Sequence, residues 1–360
     1  MARILFTVTT DLSYDQRMQR IAATMQQAGH EVLLAGRKQK SSPPLQTGSY
    51  RQTRLFCFFS KGFLFYAEFN FRLFFYLLFQ KADIFCAVDL DTIMPVYLIS
   101  FLKKKKRVYD AHELFTEMKE VISNKRVHRC WLWIEKTFVP RFPSGYTVNQ
   151  WIADEFKRRY AVYYGVIRNL PILYDIPNPP PQKKWIIYQG SVNEGRSFET
   201  LIPAMKEVDA KLLICGKGNF FDQAVQLVRQ YELESKIIFE GALAPETLKK
   251  LTPTAYLGVT LFESTGMNQY HSLANRFFDY CMAGIPQLCV NYPEYAAINE
   301  QYRIALLIDD TLPATIAAGL NTLLADADLY HTLQQNCYKA RRLLNWQEEE
   351  KALLLFYQTL

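Results

Sequence analysis

The chain has 360 residues, 49% hydrophobic and 21% charged, a length and balance that predict two globular domains and exclude a disordered chain. Its formal net charge of +7 suits anionic ligands or an anionic membrane surface and is too small to indicate nucleic-acid binding. Seven cysteines without a CxxC pair predict reduced core thiols of a cytoplasmic protein, with neither disulfides nor a zinc site.

The first half of the chain alternates predicted strands and helices. Ile4–Val8 predicts a strand without a preceding secretion signal, Asp15–Ala28 predicts an amphipathic helix, and Val32–Ala35 predicts the next strand. Further strands are predicted at Ile84–Val88, Val108–Tyr109 and Tyr146–Val148, and helices at about Phe63–Gln80, Thr92–Leu102, Val127–Val139 and Gln150–Tyr160. This alternation favours a parallel sheet, and therefore a Rossmann-like domain over residues 1–168.

A proline-rich stretch at residues 169–184 predicts a stiff linker, after which the alternation resumes. Strands are predicted at Trp185–Gln189, Lys211–Cys215, Lys236–Phe239, Ala255–Leu261, Gln287–Val290 and Ile304–Ile308, and helices at Ser197–Lys206, Phe220–Tyr231, Pro245–Leu251 and Asn275–Ala283. We expect a second Rossmann-like domain over residues 185–344 and a C-terminal helix, residues 345–360, that packs back toward the first. Ligands bind beyond the carboxyl ends of parallel strands, so we expect the two domains to face each other across a binding cleft.

The densest polar constellation lies between Phe262 and Pro286, where a loop leads into a predicted helix. The free N–H groups of a helix start, together with the guanidinium of Arg276, suit a diphosphate. Asp279, one turn further on the same face, suits the two hydroxyls of a ribose. The alternative interpretation of Arg276 and Asp279 is an ion pair on the helix surface.

This segment resembles the nucleotide-sugar site of glycosyltransferase family 4, retaining enzymes of GT-B fold, in the branch whose loop reads roughly SLPNK-x-x-EYMAAGLP. The segment follows this pattern with Ala274 in place of proline: Arg276 replaces the lysine, Asp279 replaces the glutamate, and the identical residues are Ser272, Leu273, Asn275, Tyr280, Ala283, Gly284 and Pro286. The resemblance implies that Ser272, Leu273, Asn275, Arg276 and Asp279 bind the donor. His271 stands where the family has a second glutamate.

The resemblance continues upstream. Arg196 falls at the position of the family's diphosphate-binding lysine, and Ser191 at a position often held by an arginine. Gly216 and Lys217 match a G-x-G turn after the next strand, for which a tight strand–helix turn is the favoured interpretation and contact with the donor the alternative. The resemblance thus adds Ser191, Arg196, Gly216 and Lys217 to the donor site.

In the first half, Asp15 and Arg17 open the first helix as an Asp-x-Arg pair, and Asp15 is also a plausible N-cap. Arg17 is expected to face either the cleft or solvent. Asp110, His112 and Glu113 follow a strand as the D-x-H-E run of the family. The resemblance implies that these five residues bind the acceptor, and we expect His112, Arg196 and Arg276 to be catalytic.

Asp89-Leu90-Asp91 has the form of a metal-binding DxD motif. We interpret it as a decoy, because Arg196 and Arg276 already supply positive charge for a diphosphate. No metal and no cofactor other than the nucleotide sugar is expected.

The segment Leu55–Phe79 is rich in phenylalanine, but charged residues interrupt it, so we expect it not to span a membrane. A buried helix is the favoured interpretation. The alternative is an aromatic face that contacts the inner leaflet, helped by the basic run Lys103–Arg107.

The sequence therefore predicts a cytoplasmic hexosyltransferase that moves a sugar from a nucleoside-diphosphate sugar to a glycan or lipid-linked acceptor. The resemblance implies a retaining enzyme of bacterial envelope polysaccharide synthesis. Two alternatives remain: a catalytically degenerate GT-B protein that binds a nucleotide or a partner, and a GT-B nucleotide-sugar epimerase.

Overall fold

A computed structural model describes residues 1–40, 42–45, 48–176, 183–264 and 266–360. The described chain divides into a first unit, Met1–Asn169 with Glu349–Leu360, and a second unit, Leu170–Glu348. Of the predicted linker, residues 177–182 lie outside the described residues. Leu170 is fully buried in the core of the second unit, and the carbonyl of Pro171 accepts a hydrogen bond from the backbone N–H of Trp346, so this part of the predicted linker is packed.

The first unit is built on a parallel sheet. Its strands are β1 (Arg3–Thr7), β2 (Glu31–Lys38), β3 (Arg51–Phe56), β4 (Ile84–Val88), β5 (Lys106–Ala111), β6 (Gly145–Thr147) and β7 (Gly165–Val166). Its helices are α1 (Gln16–Gln27), α2 (Gly62–Phe79), α3 (Ile93–Leu102), α4 (Lys119–Ile122), α5 (Lys125–Phe138) and α6 (Gln150–Tyr160). The strand order β3-β2-β1-β4-β5-β6-β7 is a doubly wound, Rossmann-like order.

The central strands of this sheet are the apolar runs of the sequence. β4 is buried throughout and pairs with β1 on one side and β5 on the other. β3, which the sequence analysis missed, is a half-exposed edge strand with the polar sequence RQTRLF. An edge strand pairs with another strand on one side only and is more exposed to solvent than a central strand. Its sequence therefore need not be a continuous apolar run.

Helix α2 differs from the favoured expectation of a buried helix. Only one stripe of it, formed by Phe65, Phe69, Leu73 and Leu77, is buried in the core of the first unit. Within the described residues it is also the one helix that is long and apolar enough to cross a membrane, judged by length and composition alone. Its two charged residues, Glu68 and Arg72, pair with each other at 2.8 Å.

The second unit repeats the same order. Its strands are β8 (Lys183–Gln189), β9 (Lys211–Cys215), β10 (Ile237–Phe239), β11 (Ala255–Thr260), β12 (Gln287–Val290) and β13 (Ala305–Ile308). Its helices are α7 (Phe198–Ala204), α8 (Phe221–Gln230), α9 (Pro245–Leu251), α10 (Met267–Tyr270), α11 (Asn275–Ala283), α12 (Pro293–Tyr302), α13 (Pro313–Ala325) and α14 (Ala327–Ala340), and α15 (Trp346–Thr359) ends the chain. The parallel sheet runs β10-β9-β8-β11-β12-β13, again a doubly wound order.

The C-terminal part of α15 belongs to the first unit. Tyr357 is 5% exposed and its ring lies 6.2 Å from that of Phe6, while the ring of Phe356 lies 5.1 Å from that of Tyr146. Glu349 accepts hydrogen bonds from the backbone and the guanidinium of Arg168. These contacts tie the end of the chain to the sheet of the first unit.

Candidate functional site

Polar side chains gather in the first unit where β4 and β5 end. Asp89 and Asp91 follow β4, Asp110 lies in the end of β5, and His112 follows it directly. Because β4 and β5 are adjacent parallel strands, their carboxyl ends meet at one edge of the sheet. The polar run after β5 was predicted from the sequence, and the structure adds the two carboxylates after β4 to it.

Arg17 enters this cluster from α1 and is 4% exposed. Its Nη2 donates to Asp110 Oδ1 at 3.0 Å, its Nη1 to the carbonyl of Ile167 at 3.0 Å, and its Nε to His112 Nε2 at 2.8 Å. Asp110 is fully buried. Both side chains are buried and hydrogen-bonded beside His112, and acceptor binding by Arg17 and Asp110 stays a prediction.

The imidazole of His112 is held on several sides. Its backbone N–H donates to Asp89 Oδ1 at 2.9 Å, and its Nδ1 lies 3.2 Å from Asp89 Oδ2. Burial lowers the pKa of His112, but the carboxylates of Asp89 and Asp110 outweigh it and raise the pKa to about 10. The positive charge of Arg17 opposes this rise, because it disfavours a second positive charge on the imidazole. A quarter of the His112 side chain is exposed, so His112 reaches the surface that Arg17 and Asp110 do not.

Asp91 is buried, and its Oδ2 accepts a hydrogen bond from Thr9 Oγ1 at 2.5 Å. Burial, reinforced by the charge of Asp89, raises the pKa of Asp91 to about 8. The interpretation of Asp89-Leu90-Asp91 as a decoy stays a prediction, because a bound cation would itself favour the charged form of the carboxyl. Among the described residues no three His, Cys, Asp or Glu side chains are grouped to hold a metal ion.

Asp15 serves as the N-cap of α1. Its Oδ1 accepts from the backbone N–H of Met18 at 3.0 Å, and its Oδ2 accepts from Thr10 Oγ1 at 2.6 Å. Glu113 is half-buried in the loop after His112. Acceptor binding by Asp15 and Glu113 stays a prediction.

In the second unit, Arg276 projects from the first turn of α11 and is 6% exposed. Its Nη1 donates to the hydroxyl of Tyr188 at 3.2 Å and its Nη2 to the carbonyl of Leu261 at 3.1 Å. Its Nε is buried without a hydrogen-bond partner among the described residues, and within that part of the chain Arg276 forms no ion pair. A buried guanidinium held only by neutral oxygens favours an anionic ligand, because burying a charge without a counter-charge is costly.

Phe262 brings the two arginines predicted from the sequence together. The guanidinium carbon of Arg276 lies 4.5 Å from the centre of the Phe262 ring, and that of Arg196 lies 4.3 Å from it. Aromatic faces attract and orient planar guanidinium groups. Sequence reasoning assigned no role to Phe262, since an isolated phenylalanine after a strand carries no signal of such a contact.

Asp279 is half-buried one turn after Arg276 and is positioned by the end of β8. Gln189 donates from Nε2 to Asp279 Oδ2 at 2.9 Å, and its Oε1 accepts from Thr252 Oγ1 at 2.7 Å. Gln189 is 6% exposed. The sequence analysis missed Gln189 and Thr252, because only the packing of β8 and of the turn after α9 against α11 brings them together.

The loops after β8 and β9 approach each other closely. A Cβ on Gly216 would lie 1.7 Å from the carbonyl oxygen of Gly190, so Gly216 is required by backbone packing. This favours the tight-turn interpretation of the glycine over direct contact with the donor. Lys217 and Ser191 are exposed in these loops, and the carbonyl of Ser191 accepts a hydrogen bond from the Tyr188 hydroxyl at 2.6 Å.

The remaining predicted donor residues lie before and at the start of α11. The Ser272 hydroxyl donates to the carbonyl of Gln269 at 2.8 Å, Leu273 packs against the core, and Asn275 is exposed. The hydroxyl of Tyr295 accepts from the backbone N–H of Ala274 at 2.9 Å. No side chain caps α11, as is expected of a helix start that leaves N–H groups for a ligand.

Two family models match consecutive parts of the chain. The model of glycosyltransferase family 4 matches residues 16–170, and that of the glycosyl transferases group 1 matches residues 174–340. An uncharacterized glycosyltransferase of Methanocaldococcus jannaschii is 26% identical over 163 residues, a match that covers 44% of this chain and 40% of the relative. The chain thus spans about two fifths of the length of the curated relative it matches.

Solved structures share the architecture over the full length. Sucrose-phosphate synthase from Thermosynechococcus elongatus has a TM-score of 0.81 and 16% identity, with 100% of this chain and 99% of that chain covered. HepE of Anabaena, in complex with UDP and glucose, has a TM-score of 0.77 and 14% identity, with both chains covered completely. At these identities the likeness establishes the fold, which is GT-B.

Proposed function

The chain belongs to the glycosyltransferase family 4-like proteins, and from this premise we propose that it transfers a hexosyl group from a nucleoside-diphosphate sugar to an acceptor hydroxyl. The donor binds at the edge of the second unit where Arg196, Arg276 and Asp279 lie. The acceptor, a glycan or a lipid-linked precursor, binds at the edge of the first unit around His112. The protein acts in the cytoplasm, where its seven unpaired cysteines stay reduced.

The buried guanidinium of Arg276 carries this proposal. It lacks a carboxylate partner among the described residues, shares the ring of Phe262 with Arg196, and lies at the uncapped start of α11. A diphosphate supplies the missing negative charge and accepts hydrogen bonds from both arginines. Asp279, fixed by Gln189, accepts hydrogen bonds from the ribose hydroxyls of the same ligand.

In the transfer step the bond between the anomeric carbon and the β-phosphate oxygen breaks, and a bond from that carbon to the acceptor oxygen forms. Negative charge grows on the departing diphosphate, so cations aimed at it stabilise the transition state more than the bound substrate. The acceptor's proton passes to the departing phosphate, and the sugar keeps its anomeric configuration. The two arginines neutralise the charge, and no metal ion takes part.

His112 orients the reacting groups in the first unit. Arg17, Asp89 and Asp110 fix its ring through both ring nitrogens, and the quarter of the side chain that is exposed contacts the sugar or the acceptor. In this assignment His112 contacts the substrate, and Arg17, Asp89 and Asp110 hold its ring in position.

Calorimetric titration with a panel of nucleoside diphosphates and their sugars, with magnesium and with chelator, tests the donor site. We expect binding that chelator does not change. Arg196→Ala and Arg276→Ala should each weaken it by about ten- to a hundredfold, the range for a lost hydrogen bond to a charged group. Arg229→Ala, which removes an exposed arginine of α8 in the same unit, is the matched control.

Binding to none of the panel, or equal weakening by Arg229→Ala, would contradict the proposed donor site. Incubating the best donor with acceptor and determining the anomeric configuration of the product tests the reaction. An inverted product would rule out the retaining mechanism, and isomerisation of the donor without acceptor would indicate an epimerase.

A further inference from the structure

The outward face of α2 is apolar along its whole length. The helix buries its stripe at Phe65, Phe69, Leu73 and Leu77, and the side chains on the opposite side are Leu64, Phe71, Phe75 and Leu78. These four are between 38% and 66% exposed. A surface helix of a globular protein normally carries polar residues on that side, so this face departs from the usual pattern.

The end of α3 extends the apolar surface. Lys103, which follows α3, donates from Nζ to the carbonyl of Leu77 at 3.1 Å, so the end of α3 lies against the last turn of α2. Phe101 and Leu102, just before it, are 61% and 62% exposed. We call the six side chains Leu64, Phe71, Phe75, Leu78, Phe101 and Leu102 the aromatic patch. Contiguous apolar surface of this kind marks a contact with a partner or a membrane.

Basic residues stand at both ends of the patch. Lys61 precedes α2, Lys81 follows it, and Lys104 follows α3, all three of them exposed. The acidic side chains nearby are already paired, Glu68 with Arg72 and Asp83 with Lys105. The border of the patch therefore presents net positive charge.

We propose that the aromatic patch docks the protein onto an anionic lipid bilayer. The phenylalanine and leucine side chains enter the interface with α2 parallel to the surface, and the bordering lysines contact lipid phosphates. A second copy of the chain fits less well, because a two-fold interface between two such patches brings the same positive borders together. This inference does not depend on the proposed transfer reaction.

Vesicle flotation of the full chain tests the proposal. We expect the protein to float with vesicles of mixed phosphatidylcholine and phosphatidylglycerol, and to stay behind with phosphatidylcholine alone or at high salt. The double variant F71S/F75S should lower the bound fraction at least about tenfold, since it removes two large side chains from the interface. The charge-reversed variant K81E/K104E should also lower it.

Matched controls come from the second unit. L312S/L343S changes two exposed leucines, and K184E/K211E reverses two exposed lysines, so both should float as the unaltered protein does. Circular dichroism and thermal unfolding check that each variant is folded. Absence of flotation, or equal flotation of F71S/F75S, would overturn the proposal. A dimer that F71S/F75S converts to monomers, with no flotation of either form, would assign the patch to a second copy instead.

Discussion

The carboxyl of Asp91 lies in surroundings that favour its neutral form. Burial and the neighbouring charge of Asp89 raise its pKa from 3.8 to about 8. Between these two values the folded protein binds more protons at this site than the unfolded chain does. Asp91 therefore lowers the free energy of unfolding progressively as pH rises from about 4 to about 8.

We expect Asp91→Asn to remove this penalty. At pH 4 the variant should match the unaltered protein, and at pH 8 it should be more stable by about 2–5 kcal/mol, since each pKa unit corresponds to about 1.4 kcal/mol. Urea unfolding at a series of pH values measures the difference. Asp83→Asn is the control, because the pKa of that exposed carboxyl is lowered, so the variant should lose stability above pH 4 instead. A stability gain of Asp91→Asn that does not depend on pH would contradict the raised pKa.

At the scale of elements, the loops after β8 and β9 depend on a glycine between them. A Cβ on Gly216 would lie 1.7 Å from the Gly190 carbonyl oxygen, and the contact is with backbone, which does not yield easily. The loop after β8 carries Arg196, and Gly190 borders Arg276, whose Nη1 lies 3.5 Å from the Cβ position of that glycine. Moving these loops apart therefore displaces groups of the proposed donor site.

We expect Gly216→Ala to weaken nucleoside-diphosphate binding at least about tenfold and to lower the free energy of unfolding by about 1–3 kcal/mol, the usual cost of overpacking. Calorimetry and urea unfolding measure the two effects. Gly266→Ala, in the same unit, is the control, because a Cβ there meets no atom within 4 Å. Unchanged binding by Gly216→Ala would show that the spacing of these loops does not matter to the ligand.

Elements that are continuous apolar runs could be predicted from the sequence to the residue, as Ile84–Val88 and Lys211–Cys215 were. The edge strand β3 could not, because its polar side chains carry no such run. Whether the outer face of α2 is buried or exposed could not be decided from the sequence either, since apolar residues lie on nearly all sides of this helix and give no period that indicates the buried side. Gln189 and Phe262 escaped prediction for a third reason: each acquires its role only when packing brings distant residues together.

At the scale of the whole molecule, each of the two units has a hydrophobic core of its own, and the end of the last helix belongs to the first unit. Tyr357 of α15 is buried in the first unit, and Tyr330 of α14 is buried in the second, where it stacks on Tyr256 with ring centres 4.0 Å apart. Two cores of this size are able to unfold separately. The same substitution, tyrosine to alanine, can therefore be made in each of the two units.

We expect Tyr357→Ala and Tyr330→Ala each to destabilise mainly the unit that holds the tyrosine, by about 3 kcal/mol, because each leaves a cavity the size of an aromatic ring. Hydrogen exchange followed by mass spectrometry resolves the two units. Tyr357→Ala should speed exchange in β1, β4 and β6 and leave β8 to β13 unchanged, and Tyr330→Ala should do the reverse. Faster exchange throughout the chain in both variants would mean that the two units unfold as one. If the two units unfold separately, removal of residues 349–360 should speed exchange in the first unit even more than Tyr357→Ala does, because the first unit also loses Glu349, the partner of Arg168.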